Sequence, residues 1–217
     1  MNKNVTINVS LDKAKKWYNS GNEELKEIAI KVFSEMELKV PPYSEIKTFE
    51  DAVNALNMDL GFVSSVISDI ETTSKATAAM YKLNIVRKAL NYGQDLHLTK
   101  EPKGSLIHHP DNVFINKSCT YFKHYISSGE MEVIGKFKME GEEYEVISGN
   151  AIYDSLFGFG CFNKDYGIGY ARADYSLFGC ASKEIADHFG KYFGMLIMEA
   201  KFGDMLDFEI IEDKYKN

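Results

Sequence analysis

The sequence predicts an α+β fold: a helical N-terminal half followed by an antiparallel sheet, with a C-terminal helix packed across that sheet. Three observations carry this prediction. Apolar residues recur at helical spacing between helix caps as far as about residue 95. From residue 112 they alternate instead, in short runs broken by turn residues. One long helical stripe then follows Ser182 and stops at Gly203.

Taken in order, Val5, Ile7 and Val9 alternate as a short strand. Ser10 is placed to cap a helix over residues 11–20, which Gly21 stops. Asn22 caps a second helix, with Glu23 and Glu24 in its first turn, where the positive end of the helix dipole favours carboxylates. Leu25, Ile28, Ala29, Val32 and Phe33 form its amphipathic stripe, expected as core, and Pro41 and Pro42 end it. Thr48 and Asp51 have capping-box spacing. Phe49, Ala52, Val53 and Leu56 make the buried face of the helix they open, and Val63, Val66, Ile67 and Ile70 repeat the pattern. A longer helix over about 72–92 buries Ala76, Ala79, Leu83, Val86 and Leu90 and ends at Gly93.

Strand-like runs follow at Asn112–Asn116, 119–126, Met131–Met139 and Glu142–Gly149. The last two make a specific hairpin. With Glu140-Gly141 as a two-residue turn, Phe137 faces Tyr144, and Val133 shares a side with Val146. The other face sets Lys138 against Glu143 and Lys136 against Glu145. Glu-Gly is a weaker turn signal than Asn-Gly, so a four-residue turn stays open. In the terminal helix, Glu184 and Asp187 sit early, Lys201 late, and Ile185, Phe189, Tyr192, Phe193, Leu196 and Ala200 face inward. Gly190 and Gly194, one turn apart, each cost about 0.8–1 kcal/mol against alanine, which points to close backbone approach. The tail from Leu206 reads either as a final edge strand through FEII or as a frayed end.

The 217-residue chain is long enough to bury its own core. It divides into a helical region over 1–95 and an α+β region over 96–217, and the lack of a long flexible linker between them leaves one fused domain open. The net charge of −7 is uneven: −1 over residues 1–95 and −6 over 96–217. There are two arginines, Arg87 and Arg172, and an acidic, arginine-poor chain argues against nucleic acid as a partner. The start lacks an apolar signal segment, and the window FGMLIMEA is far shorter than the roughly 20 residues of a membrane span, so the protein is expected to be soluble. Cys119, Cys161 and Cys180 contain no CxxC pair and are expected as reduced, buried thiols of a cytosolic compartment.

The segment SLDKAKKWYNSGNEELKEIAIKVFSEMEL resembles the opening of a set of uncharacterised proteins encoded by bacteriophages and phage-derived elements of gut anaerobes. There a short strand is followed by AKKWYN, a small or charged break, and EELKE. The segment ASKEIADHFGKYFGMLI is similar to a closing helix in that set, with a K-S-x-E-L-A-x-x-x-G-x-x-F pattern. Ser182, Lys183, Glu184, Ile185, Ala186, Gly190 and Phe193 are the counterparts, with Ile185 in place of Leu and the Lys/Ser order reversed. The similarity covers roughly the first 40 and the last 30 residues. It implies a viral or mobile-element origin and no particular reaction.

The stretch GFGCFNKDYGIGYARADYSLFGC, residues 158–180, holds five glycines among aromatic residues. A dinucleotide loop needs GxGxxG between strand and helix, and here Asn163 and Arg172 stand where the third glycine would be. No GK[ST] follows either, so the glycines are expected to serve strand bulges and ring packing. Phe157, Phe159, Tyr166 and Tyr170 would rim a recess with Arg172 and Asp174 as polar anchors, or else form the core of the sheet. These six are the candidate ligand or partner surface.

His108 and His109 are neighbours that point apart in a strand, so no metal is expected there. His124, sharing a strand face with Phe122 and Ile126, reads as a core histidine. Cys180, just before a helix N-terminus, is the one candidate for a thiol of depressed pKa. No catalytic residue and no cofactor are expected. The expected function is that of a non-enzymatic phage accessory protein binding a host or viral protein, as a virion component or a host-defence antagonist, in the host bacterial cytoplasm or the virion. The alternative is a small-molecule or nucleotide-binding protein or enzyme with its site in residues 157–172.

Overall fold

The computed structural model describes residues 9–94, 108, 110, 112–116, 123–149, 160–161 and 179–216. The N-terminal half is helical. Helices α1 (Leu11–Tyr18), α2 (Glu23–Val32) and α3 (Glu35–Lys39) precede a 3₁₀ turn at Tyr43–Glu45 and helices α4 (Phe49–Ala55), α5 (Leu60–Glu71) and α6 (Lys75–Leu90). Strand β1 (Asn112–Asn116), the short helix α7 (Lys123–Ser127), β2 (Met131–Met139), β3 (Glu142–Gly149), the two-residue β4 (Gly160–Cys161), helix α8 (Lys183–Phe202) and β5 (Glu209–Asp213) follow. Among the described residues no helix is long and apolar enough to cross a membrane.

The caps stand where the sequence places them. Ser10 Oγ accepts from the Lys13 amide, Asn22 from the Glu24 and Leu25 amides, and Ser182 from the Ile185 amide. Thr48 and Asp51 close a full capping box at the start of α4. One cap goes beyond the expectation. The second helix breaks at Phe33, whose backbone is extended (φ −126°, ψ 151°), before it reaches the prolines. Ser34 and Glu37 restart it: the Ser34 amide donates to Glu37 Oε2 at 2.7 Å, and the Glu37 amide donates back to Ser34 Oγ at 3.3 Å.

The sheet order is β4-β1-β3-β2-β5, antiparallel from β1 through β5, with β4 parallel to β1 at the far edge. The tail is therefore an edge strand. The hairpin closes at Glu140-Gly141, both in the left-handed region (φ 53° and 76°) that a two-residue turn of this hand needs. Phe137 pairs with Tyr144, Lys138 with Glu143 and Lys136 with Glu145, as the alternation requires.

Two expectations are corrected here. Val133 does not lie with Val146. A bulge between Val133 and Gly135 inserts Ile134, so Val133 pairs with Ile147 on the outer face while Ile134 joins Val146 and Phe137 inside. Residues 123–127 are helix rather than strand, and His124 is exposed there rather than buried. Short apolar alternation does not by itself separate a strand from one turn of helix.

The main core runs through both halves, from Val40 in the helical layer to Ala200 on α8. Helix α6 lies between α4, α5 and α8, and this explains why it buries Ala78, Ile85 and Ala89 as well as Ala79, Leu83, Val86 and Leu90 of its predicted face, of which Ala76 stays half-buried. At its end the buried Asn91 joins α6 to the approach to α8: Nδ2 donates to the Gly179 carbonyl and Oδ1 accepts from the Ala181 amide, each at 2.9 Å. At its start Asp204, from the end of α8, accepts from Ser74 Oγ at 2.6 Å and from the Ala76 amide at 3.1 Å, a carboxylate on the positive end of the dipole. Helices α1–α3 keep a small cluster of their own around Ala14, Ala29 and Leu38. Lys15 ties that cluster to the body: its Nζ donates to the Val40 carbonyl and lies 4.0 Å from the Tyr92 ring centre.

Candidate functional site

The six residues expected to form a ligand or partner surface, Phe157, Phe159, Tyr166, Tyr170, Arg172 and Asp174, lie outside the described residues. Within the glycine-rich stretch, Gly160–Cys161 is strand, paired with Val113 and Phe114 of β1. The candidate thiol is corrected. Cys180 has no exposed surface, and burial pushes its thiol up to about 12, with Arg87 pulling only weakly the other way. A thiol held protonated in the interior is no nucleophile at neutral pH. Its backbone instead bridges His108. Among the described residues, no group of three or more His, Cys, Asp or Glu side chains is placed to hold a metal ion.

The structure instead assembles a row of rings along α8. Pro41 and Pro42 stop the chain from continuing as α-helix, and the 3₁₀ turn that follows holds Tyr43 against His188 (centroids 5.3 Å, edge to face). His188 and Tyr192 are one helical turn apart and 4.5 Å between centroids. Tyr215, after β5, lies 4.8 Å from Tyr192. All four rings are half-buried. Three ammonium groups lie over them: Lys47 over Tyr192 at 5.6 Å, Lys191 over Tyr192 and Tyr215 at 5.9 and 5.4 Å, and Lys214 over Tyr215 at 5.7 Å.

Each part of the row is fixed. His188 Nε2 donates to the Ile46 carbonyl at 2.7 Å, which sets its tautomer. Burial lowers the His188 pKa, and Lys47 and Lys191 lower it further against the raising effect of that carbonyl, so the ring is neutral at pH 7. Glu132 on β2 anchors the other end. It forms an ion pair with Lys191 at 2.9 Å, accepts from Tyr215 Oη at 2.7 Å and is bonded by Lys214 Nζ. Burial pushes the Glu132 carboxyl up, but these three partners outweigh it and hold it down at about 2.

A pH dependence follows. A carboxyl depressed in the folded state stabilises the fold above its unfolded pKa and loses that effect as pH falls through the folded one. Here the window runs from 4.5 down to about 2. The side chain is 34% exposed, so water screens the interaction and its contribution is about 1 kcal/mol. Urea unfolding of Glu132→Gln against wild type is expected to show that deficit at neutral pH and a shrinking one as pH drops below 4.5. An equal deficit at both ends would show that the carboxylate is not what holds the tail.

Beside the row, across Ile46, lies a cleft of about 310 Å³ lined by Lys39, Pro41, Glu45, Asp51 and Asn54. That volume is at the small end of ligand sites, which run from about 300 to 1,000 Å³. The ring row was not legible in the linear sequence. Tyr192 reads there as one more inward residue of α8, and nothing in the order of residues links Tyr43 with Tyr215. Compared with known proteins, the chain matches no family model, no curated protein and no solved structure.

Proposed function

We propose that the chain is a phage-encoded accessory protein that binds another protein, of the host or of the virus, through the ring row on α8. The single observation that carries this is four half-buried rings, Tyr43, His188, Tyr192 and Tyr215, each already held by a neighbour. Tyrosine is enriched at protein interfaces because it offers a large contact with few rotatable bonds. Rings that are ordered beforehand lose little freedom on docking, so more of the contact energy appears as affinity. The three lysines supply a polar rim around an apolar centre. The phage origin rests on the sequence resemblance alone.

The test is capture from host lysate and from purified virions, with wild type and with Tyr192→Ala in parallel. As a central anchor Tyr192 is worth about 2 kcal/mol, about thirtyfold in Kd, so the variant is expected to lose the captured partner while keeping its fold. A partner retained equally by both proteins would refute the reading. The cleft beside Ile46 favours a second reading, a small polar ligand. A thermal-shift screen in which a nucleotide or other small molecule raises the midpoint by several degrees would support that one instead.

A further inference from the structure

Helix α2 carries a clear apolar stripe, and its outer flank is exposed among the described residues. Ala29 is buried against α1 and α3, and Phe33 packs on the same cluster. Ile28 and Val32, one turn apart, stay 43% and 56% exposed, and Leu25 beside them is half-buried. The charges of the helix are arranged by end: Glu23, Glu24 and Glu27 stand in its first half and Lys31 in its last turn. Lys26, the exception, already pairs with Glu23 at 3.6 Å and lies over the Tyr18 ring.

We infer that α2 is a self-association surface, on which a second copy of this chain lays its own α2 antiparallel across a two-fold axis. The end-to-end order of charge selects that occupant. An antiparallel copy brings the acidic first turn of each helix to the Lys31 end of the other and opposes the two helix dipoles. A parallel copy would set carboxylate against carboxylate. A two-fold contact is self-complementary by construction, so Ile28 covers its counterpart at the axis and Val32 covers Leu25 of the copy, while Glu24 on the other flank meets Lys31 of the copy. The contact is small. Ten residues of helix are about 15 Å long, far short of a standard interface of about 1,600 Å², so the dimer is weak, with Kd on the order of 100 µM.

Sedimentation equilibrium of the full chain tests this from about 10 µM to about 1 mM, a range that brackets that affinity. Wild type is expected to pass from monomer to dimer. Ile28→Glu and Val32→Glu are expected to stay monomeric with unchanged melting temperatures. Ile30→Glu is the control: it lies on the same helix, 39% exposed, but about 200° around from Ile28, and should dimerise like wild type. Lys31→Glu is expected to weaken the dimer about tenfold, and the double variant Glu24→Lys/Lys31→Glu to restore it. A wild type that stays monomeric throughout, a dimer indifferent to Ile28 and Val32, or a charge swap that restores nothing would each overturn the inference.

Discussion

Gly194→Leu is expected to abolish the cooperative fold of the C-terminal half, and Gly194→Ala alone to cost about 2–3 kcal/mol. A Cβ at this position would fall on Ile134 Cδ1 and lie 2.6 Å from Asn112 Nδ2. Ile134 can turn away, because its terminal carbon is the end of a flexible chain. Asn112 cannot move without loss: it is buried, and its Nδ2 donates to the Gly190 carbonyl at 2.9 Å. Displacing it strands a buried amide, which costs about 1–3 kcal/mol and outweighs the roughly 1 kcal/mol that alanine gains in helix propensity. Gly190 gives the contrast. Its Cβ would meet Asn112 Oδ1, Pro110 and Ser148 at 3.2 to 3.4 Å, so Gly190→Ala is near neutral while Gly190→Leu loosens the same layer. Thermal melts decide: a loss of about 2–3 kcal/mol lowers the midpoint of a chain this size by roughly 4–12 °C. If Gly194→Ala melts with wild type, α8 does not approach the sheet this closely.

Phe137→Ala is expected to cost about 3–5 kcal/mol. Phe137 has no exposed surface, and four rings surround it: Phe114 at 5.6 Å, Tyr144 at 5.2 Å, Phe202 at 5.8 Å and Phe208 at 5.4 Å between centroids. These come from β1, β3, α8 and the loop before β5, so one truncation removes contacts from every layer of the C-terminal half. The surrounding rings are rigid and collapse poorly into the space, which keeps the cost high. Denaturant unfolding measures it. A loss below about 1 kcal/mol would mean that the cluster is not the centre of the core.

Local order was legible in the sequence because it rests on contacts three or four residues apart. The caps at Ser10, Asn22, Thr48 and Ser182 are of this kind, and so is the hairpin register, where period two admits one pairing of Phe137 with Tyr144. The Ser34–Glu37 box was equally local; its S-x-x-E signal stood in the sequence, hidden by an apolar stripe that ran across the break. Periodicity alone gave no warning of the bulge at Ile134; next to it Gly135, where a Cβ would lie 2.5 Å from both the Glu212 carbonyl and Met195 Sδ, lets β5 and α8 close on the strand.

The sequence by itself determined most of the described helices and the β2–β3 hairpin, where most of them begin, and the α+β order of the two halves. Only the tertiary structure decided which apolar stripes are covered and which side chains meet. The stripe of α2 and the inner face of α8 look alike in sequence, yet one leaves Ile28 and Val32 in water while the other buries Ile185, Phe189, Phe193 and Ala200 between α6 and the sheet. Tyr43, His188, Tyr192 and Tyr215 come together because a 3₁₀ turn, one helix and a C-terminal segment pass the same point in space. Periodicity records that a face is apolar. What covers that face depends on chain segments far away in sequence, and no local pattern encodes their arrival.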